Sequence, residues 1–174
     1  MKITLILLLI CNILFAHPHT FIEVYPNVSI HNDKITKISF QWKLDEMSSS
    51  MLIMELDQNG DGKIDKDENT FIYENYFMPL VDYNFYTDIS IQEKVKRFPT
   101  PSNFKALIKN NRLYYNFDIT NLQLDIHTTK FDFGDTDFFV AMILKKEFVT
   151  INERDAKVSD LDNDFYFGYR MEIQ

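Results

Sequence analysis

The chain has 174 residues, 45% of them hydrophobic and 15% aromatic, which is enough apolar material for one core and too little for two large ones. Its formal net charge of −8 repels phosphate backbones, which argues against nucleic acid as a partner and favours cations. Sixteen Phe and nine Tyr, many alternating with polar residues, point to sheet rather than to a helical bundle.

Met1-Lys2, the apolar run 3–15 and the small residue Ala16 have the three parts of a secretory signal, and the run is shorter than the roughly 20 residues a membrane span needs. A cut after Ala16 leaves a single periplasmic domain, 17–174, that begins at His17. Cys11 is the one cysteine; Ile10 before it is not the small side chain that an acylation signal uses. The mature chain is then free of thiols and disulfides, which suits a bacterial periplasm better than a disulfide-dependent secreted domain.

In chain order, 20–30 alternates as a strand, His31-Asn32-Asp33-Lys34 turns, and 35–42 forms the second strand of a hairpin. Asp45 and Ser48 cap a helix carrying Met51, Leu52, Ile53 and Leu56. A second helix from about Asp65 presents Phe71, Ile72 and Phe77 until Pro79 stops it. Strands are expected at 84–92, at 104–108 and 113–119 about a turn at Asn110-Asn111, and at 124–133, 138–144, 148–151 and 165–173. The fold class expected is α+β: mainly an antiparallel β-sandwich or barrel, with a helix-loop-helix unit inserted at about 45–79.

Residues 57–68 read DQNGDGKIDKDE and fill each position of an EF-hand calcium loop. Asp57, Asn59 and Asp61 each offer a side-chain oxygen, Lys63 its carbonyl, Asp65 a direct or water-bridged oxygen, and Glu68 a bidentate carboxylate, the oxygen shell that Ca2+ takes. Gly62 stands where the loop turns with positive φ. Asp160, Asp162 and Asp164 begin a similar spacing, but Phe165 stands at the glycine position and Met171 at the final glutamate position, so no second loop is expected. An unpaired loop in an exported protein binds calcium weakly, at a Kd on the order of 10⁻⁴ to 10⁻³ M, as a structural clip.

Cleavage exposes His17-Pro18-His19. The α-amine and imidazole of His17 chelate one ion together, and in extended chain His19 projects to the same side. Such a nitrogen set suits Ni2+, Co2+, Zn2+ or Cu2+. Pro18 excludes the amino-terminal site that needs a deprotonated amide at position two. His127, expected in a strand, either completes this site or is a core histidine. His31 lies at the far end of the first strand, ~40 Å from His17 at about 3.3 Å per residue, and is not expected to share it. The plain alternative for His17 and His19 is a solvated chain end.

The run Ala16-His17-Pro18-His19-Thr20-Phe21-Ile22, then Trp42-Lys43-Leu44-Asp45-Glu46, the 57–68 loop, Phe131-Asp132 and Asp137-Phe138-Phe139-Val140 resemble the domain-of-unknown-function 1007 family of bacterial periplasmic proteins over nearly the whole mature chain. Its members are labelled as periplasmic, substrate-binding-like components of a transport system, and their genes accompany permeases of the nickel and cobalt exporter type. The resemblance therefore implies handling of a transition metal beside a membrane metal permease.

Three functions follow from these readings. The first is a non-enzymatic metal-binding accessory of a nickel, cobalt or zinc transport system with one structural calcium. The second is a copper oxidase built on a histidine brace at His17, and the third a calcium-stabilised protein-interaction module. No Ser-His-Asp set, phosphate loop or zinc-protease motif is present to support catalysis otherwise.

Overall fold

A computed structural model describes residues 19–137, 139–163 and 166–174. The expected signal segment, its cleavage point and His17 lie outside the described residues. The first hairpin forms where alternation places it: β1 (Thr20–His31) and β2 (Lys34–Leu44) pair antiparallel, from Ile22 opposite Leu44 to His31 opposite Lys34. Asn32 and Asp33 both hold positive φ, 49° and 56°, as a two-residue hairpin turn requires and short polar side chains tolerate. Asn110 and Asn111 do the same between β5 (Ser102–Lys109) and β6 (Arg112–Ile119), at 51° and 57°.

Two sheets result. The first is seven-stranded: β10 (Thr150–Ile151) lies beside β1, followed by β2, β6 and β5, with β7 (Leu124–Asp125) on β2 and β9 (Val140–Ile143) on β1. The second runs β11-β12-β8-β3-β4, formed by β3 (Thr87–Ile91), β4 (Lys94–Lys96), β8 (Thr129–Gly134), β11 (Ala156–Asn163) and β12 (Tyr166–Ile173). The arrangement is sandwich-like but mixed, because β9 and β10 (Thr150–Ile151) pair parallel to β1. With β2 on one edge of β1, its other edge is left for these two short strands. No strand was expected over β11: Asp160 and Asp162 interrupt the alternation that Ala156 and Val158 begin.

The core lies where the inward residues of the sheets meet. Phe40, Trp42, Leu113, Phe117, Phe131, Phe133 and Met171 are fully or almost fully buried. The Phe40 ring centroid lies 5.2 Å from Phe117 in its own sheet and 6.3 Å from Phe133 in the other. Gly168 allows β12 to approach β8: a Cβ there would stand 2.1 Å from the Phe133 carbonyl oxygen.

Helical segments lie between β2 and β3. Asp45 caps α1 (Glu46–Leu56) by accepting from the Ser48 N–H. After the loop, α2 (Lys66–Ile72) continues through a π-helical turn, Tyr73–Phe77, into a 3₁₀ stretch, Met78–Tyr86. Pro79 does not stop this run. It falls in the first turn of the 3₁₀ stretch, where a missing N–H leaves no bond unmade. Phe77 is fully buried, its ring 4.4 Å from Phe104, 4.9 Å from Phe117 and 5.2 Å from Phe85. Asn84, Phe85 and Tyr86 are left-handed in succession, with φ near 50°, so the strand expected from 84 begins only at Thr87.

Candidate functional site

The loop between α1 and α2 is closed by its own acidic side chains. Asp57 accepts from the N–H groups of Asp61 and Gly62, at 3.1 and 2.8 Å; Asn59 accepts from Asp61, and Asp61 from Lys63, each at 2.9 Å. Gly60 and Gly62 hold φ of 71° and 77° with open space where a Cβ would stand. Backbone conformation, not crowding, therefore calls for glycine there. Asp65 and Glu68 form a reciprocal capping box at the start of α2. The Glu68 carboxylate, buried to 4% exposure, also accepts from the Gln58 N–H at 2.8 Å across the loop.

The side-chain chemistry of this loop fits a hard cation. Five carboxylates and two lysines fall within residues 57–68, and an ionised carboxylate that accepts one or two N–H bonds still has free lone pairs. The carboxylates are not drawn together, however. Among the described residues, no three His, Cys, Asp or Glu side chains gather as an ion cage.

His19 is fixed by its backbone. Its N–H donates to the Phe139 carbonyl at 2.9 Å, and its exposed imidazole stacks on the Phe139 ring at 6.2 Å. Phe139 is held in turn by Asp135, a buried carboxylate that accepts from the N–H groups of Asp137, Phe139 and Val140 at 2.9 to 3.0 Å. On the other side, Asp45 accepts from the Phe21 N–H at 2.9 Å and from the Ser48 hydroxyl at 2.6 Å, while Ser48 reaches the Thr20 hydroxyl at 3.2 Å. Burial alone would raise the Asp45 carboxyl, but the bonds from Ser48, Phe21 and Met47 outweigh it and hold the group below the ordinary carboxylate value.

Asp135 and Asp137 also line a cavity of about 310 Å³ with Asp82, Asp88 and Asp132. Two of these are already paired. Asp132 takes a bidentate bond from Arg170 at 2.7 and 2.6 Å, and Asp88 accepts from the Asn84 amide at 2.8 Å. The Tyr86 hydroxyl is pushed up to about 12, by burial first and then by the charges of Asp135 and Asp137. Sequence reasoning singled out neither Asp45 nor Asp135 as part of a site. The spacing of Asp132, Asp135 and Asp137 was the available signal, and it has no fixed ligand pattern to match.

His127 does not join His19. The expected strand 124–133 breaks into β7, a turn at residues 126–128 and β8, and His127 is exposed in that turn, its N–H donating to Asp125. Asp125 pairs with Lys34 at the opposite end of the first hairpin, roughly 40 Å from His19 along β1 at about 3.3 Å per residue. The turn forms because the Asp125 side chain accepts from the N–H two residues on, which competes with strand pairing. His31 lies at that far end as well.

Residues 2–160 match the family described as "Protein of unknown function (DUF1007)". The chain belongs to the DUF1007 family. Among similar proteins, an uncharacterized protein of Haemophilus influenzae is 30% identical over 135 residues, which are 73% of this chain and 62% of that relative's length. An uncharacterized 15.5 kDa protein in the trpE 3′ region of Spirochaeta aurantia is 32% identical over 97 residues, 55% of this chain and 69% of its own length. This DUF1007 chain thus spans less than two thirds of its Haemophilus relative. No helix among the described residues is long and apolar enough to cross a membrane.

Proposed function

We propose that the protein is a non-enzymatic periplasmic accessory of a transition-metal transport system. In this reading it binds a nickel, cobalt, zinc or copper ion through His17 and His19 and exchanges it with a membrane permease. The observation that carries the reading is the anchoring of His19. A solvated, frayed end would leave its backbone free; instead the His19 N–H is tied to Phe139, and Asp135 holds Phe139. The exposed imidazole is thereby kept at a fixed place beside an acidic loop. Preorganisation of this kind lowers the entropy cost of chelation.

Calcium, in the same proposal, stabilises the 57–68 loop. Asp57, Asn59, Asp61, Asp65 and Glu68 would hold it with the Lys63 carbonyl, and the ion would relieve repulsion among the carboxylates. Its role in this proposal is structural, a clip that closes the loop between α1 and α2.

The test is calorimetric titration of nickel, zinc, copper and cobalt into calcium-loaded protein that starts at His17, beside the same protein with one extra N-terminal methionine. Tight binding by the first alone supports the amino-terminal site; equal weak binding by both retires it. The calcium arm is read separately by thermal unfolding. Calcium at 100 times its Kd should stabilise the protein by about 2.7 kcal/mol, and Asp57→Asn should remove most of that gain. An unchanged melting temperature with calcium would retire the loop as a calcium site.

A further inference from the structure

Helix α1 packs Leu52, Ile53 and Leu56 against the core, yet it also carries three methionines on its open side. Its buried face carries Ser48, Ser49 and Leu56, while Met47, Met51 and Met54 are 62%, 67% and 87% exposed. Hydrogen bonds explain the buried serines: the Ser49 hydroxyl donates to the Leu44 carbonyl at 3.2 Å and accepts from the Leu113 N–H at 3.1 Å, fixing the helix to β6. Nothing in the packing explains the methionines. Of the other described methionines, Met78 is half-buried against the core, and Met142 and Met171 are core residues at 2% and 0% exposure.

The three exposed methionines stand at i, i+4 and i+7. At about 100° per residue they occupy one stripe some 60° wide, spanning roughly 10 Å along the axis with Met51 in the middle. Unbranched thioether arms from adjacent turns can reach a common point above Met51. Thioethers are soft ligands that select Cu(I) over the harder divalent ions. The helix itself holds Glu46 and Glu55 and no Lys or Arg, with Glu46 paired to Arg112 and Glu55 bonded by the Tyr76 hydroxyl, so the selection of the ion rests on the sulfur atoms rather than on charge.

We propose that Met47, Met51 and Met54 form a surface site for a soft monovalent d10 cation, Cu(I) in the first place. The site differs from the amino-terminal one in its ligands, although Ser48, next to Met47 in the chain, reaches the His19 carbonyl at 3.5 Å. It uses sulfur where that one uses nitrogen, and it does not depend on a free α-amine.

The test uses the mature chain with one extra N-terminal residue, so that the amino-terminal site is blocked and its success or failure does not enter. Cu(I) is titrated anaerobically against a chromophoric chelator. The parent should bind one equivalent, and Met47→Leu/Met51→Leu/Met54→Leu should lose affinity by about tenfold or more, as ligand loss should cost at least as much as loss of an outer-shell partner. Leucine keeps the helix propensity and the apolar area of methionine, so a partner that merely docks on an apolar stripe would be unaffected by this variant. Silver(I), a redox-inert stand-in, gives the second readout through the methionine ε-methyl resonances. Those of Met47, Met51 and Met54 should shift, and those of buried Met142 and Met171 should not. Absence of Cu(I) binding by the parent, unchanged affinity in the triple variant, or silver shifts that spare the stripe would each overturn the proposal.

Discussion

The two ends of β1 are held by opposite chemistry. At the His19 end, buried or half-buried carboxylates accept backbone N–H groups: Asp135 from three residues of the 137–140 segment, Asp45 from Phe21 and Ser48. At the His31 end, exposed side chains pair with one another or clip the edge. Arg154 meets Asp33 at 2.6 Å, Lys34 meets Asp125 at 2.7 Å, and the Asn152 amide bonds both backbone groups of Ile30. A carboxylate serving several part-buried N–H groups leaves each of them without that partner when it is removed, whereas an exposed ion pair returns both partners to water. The end that carries the candidate metal-binding histidine is therefore the more rigidly specified one.

The largest effect should come from Asp135→Ala, which orphans three N–H groups at once. A loss of roughly 3 kcal/mol or more is expected in denaturant unfolding. Asp135→Asn, which keeps one acceptor oxygen, should recover part of it. Amide exchange at His19 should accelerate in both variants, because Phe139 is no longer held against it. If His19 stays protected in the alanine variant, the loop does not fix His19.

Next is Asp45→Ala, at about 1–2 kcal/mol for a lost N-cap. The folded pKa of Asp45 is lowered, so its contribution is complete above the unfolded value of about 3.9 and disappears as pH falls through the lower folded value. Wild-type stability should consequently fall more steeply below about pH 4 than that of the variant. Parallel acid limbs for the two proteins would mean that Asp45 is not ionised in the cap.

The strands that sequence shows well are those whose pattern is local. Asn32-Asp33 and Asn110-Asn111 supply both left-handed turn residues of their hairpins, and the inward alternation through Phe40 and Trp42 sets the register of β2. What cannot be seen locally is pairing decided at a distance. The parallel docking of β9 and β10 on β1 depends on which edge remains open, and β11 is a strand because β12 pairs with it along its whole length. The same division holds for the candidate sites. The 57–68 motif is contiguous and can be seen in the sequence, whatever it binds. The hold of Asp135 on Phe139 is local, but that of Phe139 on His19 joins residues more than a hundred positions apart. His127 illustrates the reverse error, since a run of β-forming residues hid the turn that Asp125 imposes.

The smallest effect belongs to Arg154→Ala at the His31 end. Arg154 and Asp33 side chains are 41% and 52% exposed, and a pair so placed contributes about 0.2–1 kcal/mol, most of it screened by salt. The variant should unfold within that margin of wild type at low ionic strength and coincide with it at about 1 M salt, where the screening length is roughly 3 Å. The turn itself should persist, because Asn32 and Asp33 adopt positive φ without help from the arginine. A salt-independent loss well above 1 kcal/mol would show instead that Arg154 acts through packing of its stem. In that case the two ends of β1 would differ less than their hydrogen bonds suggest.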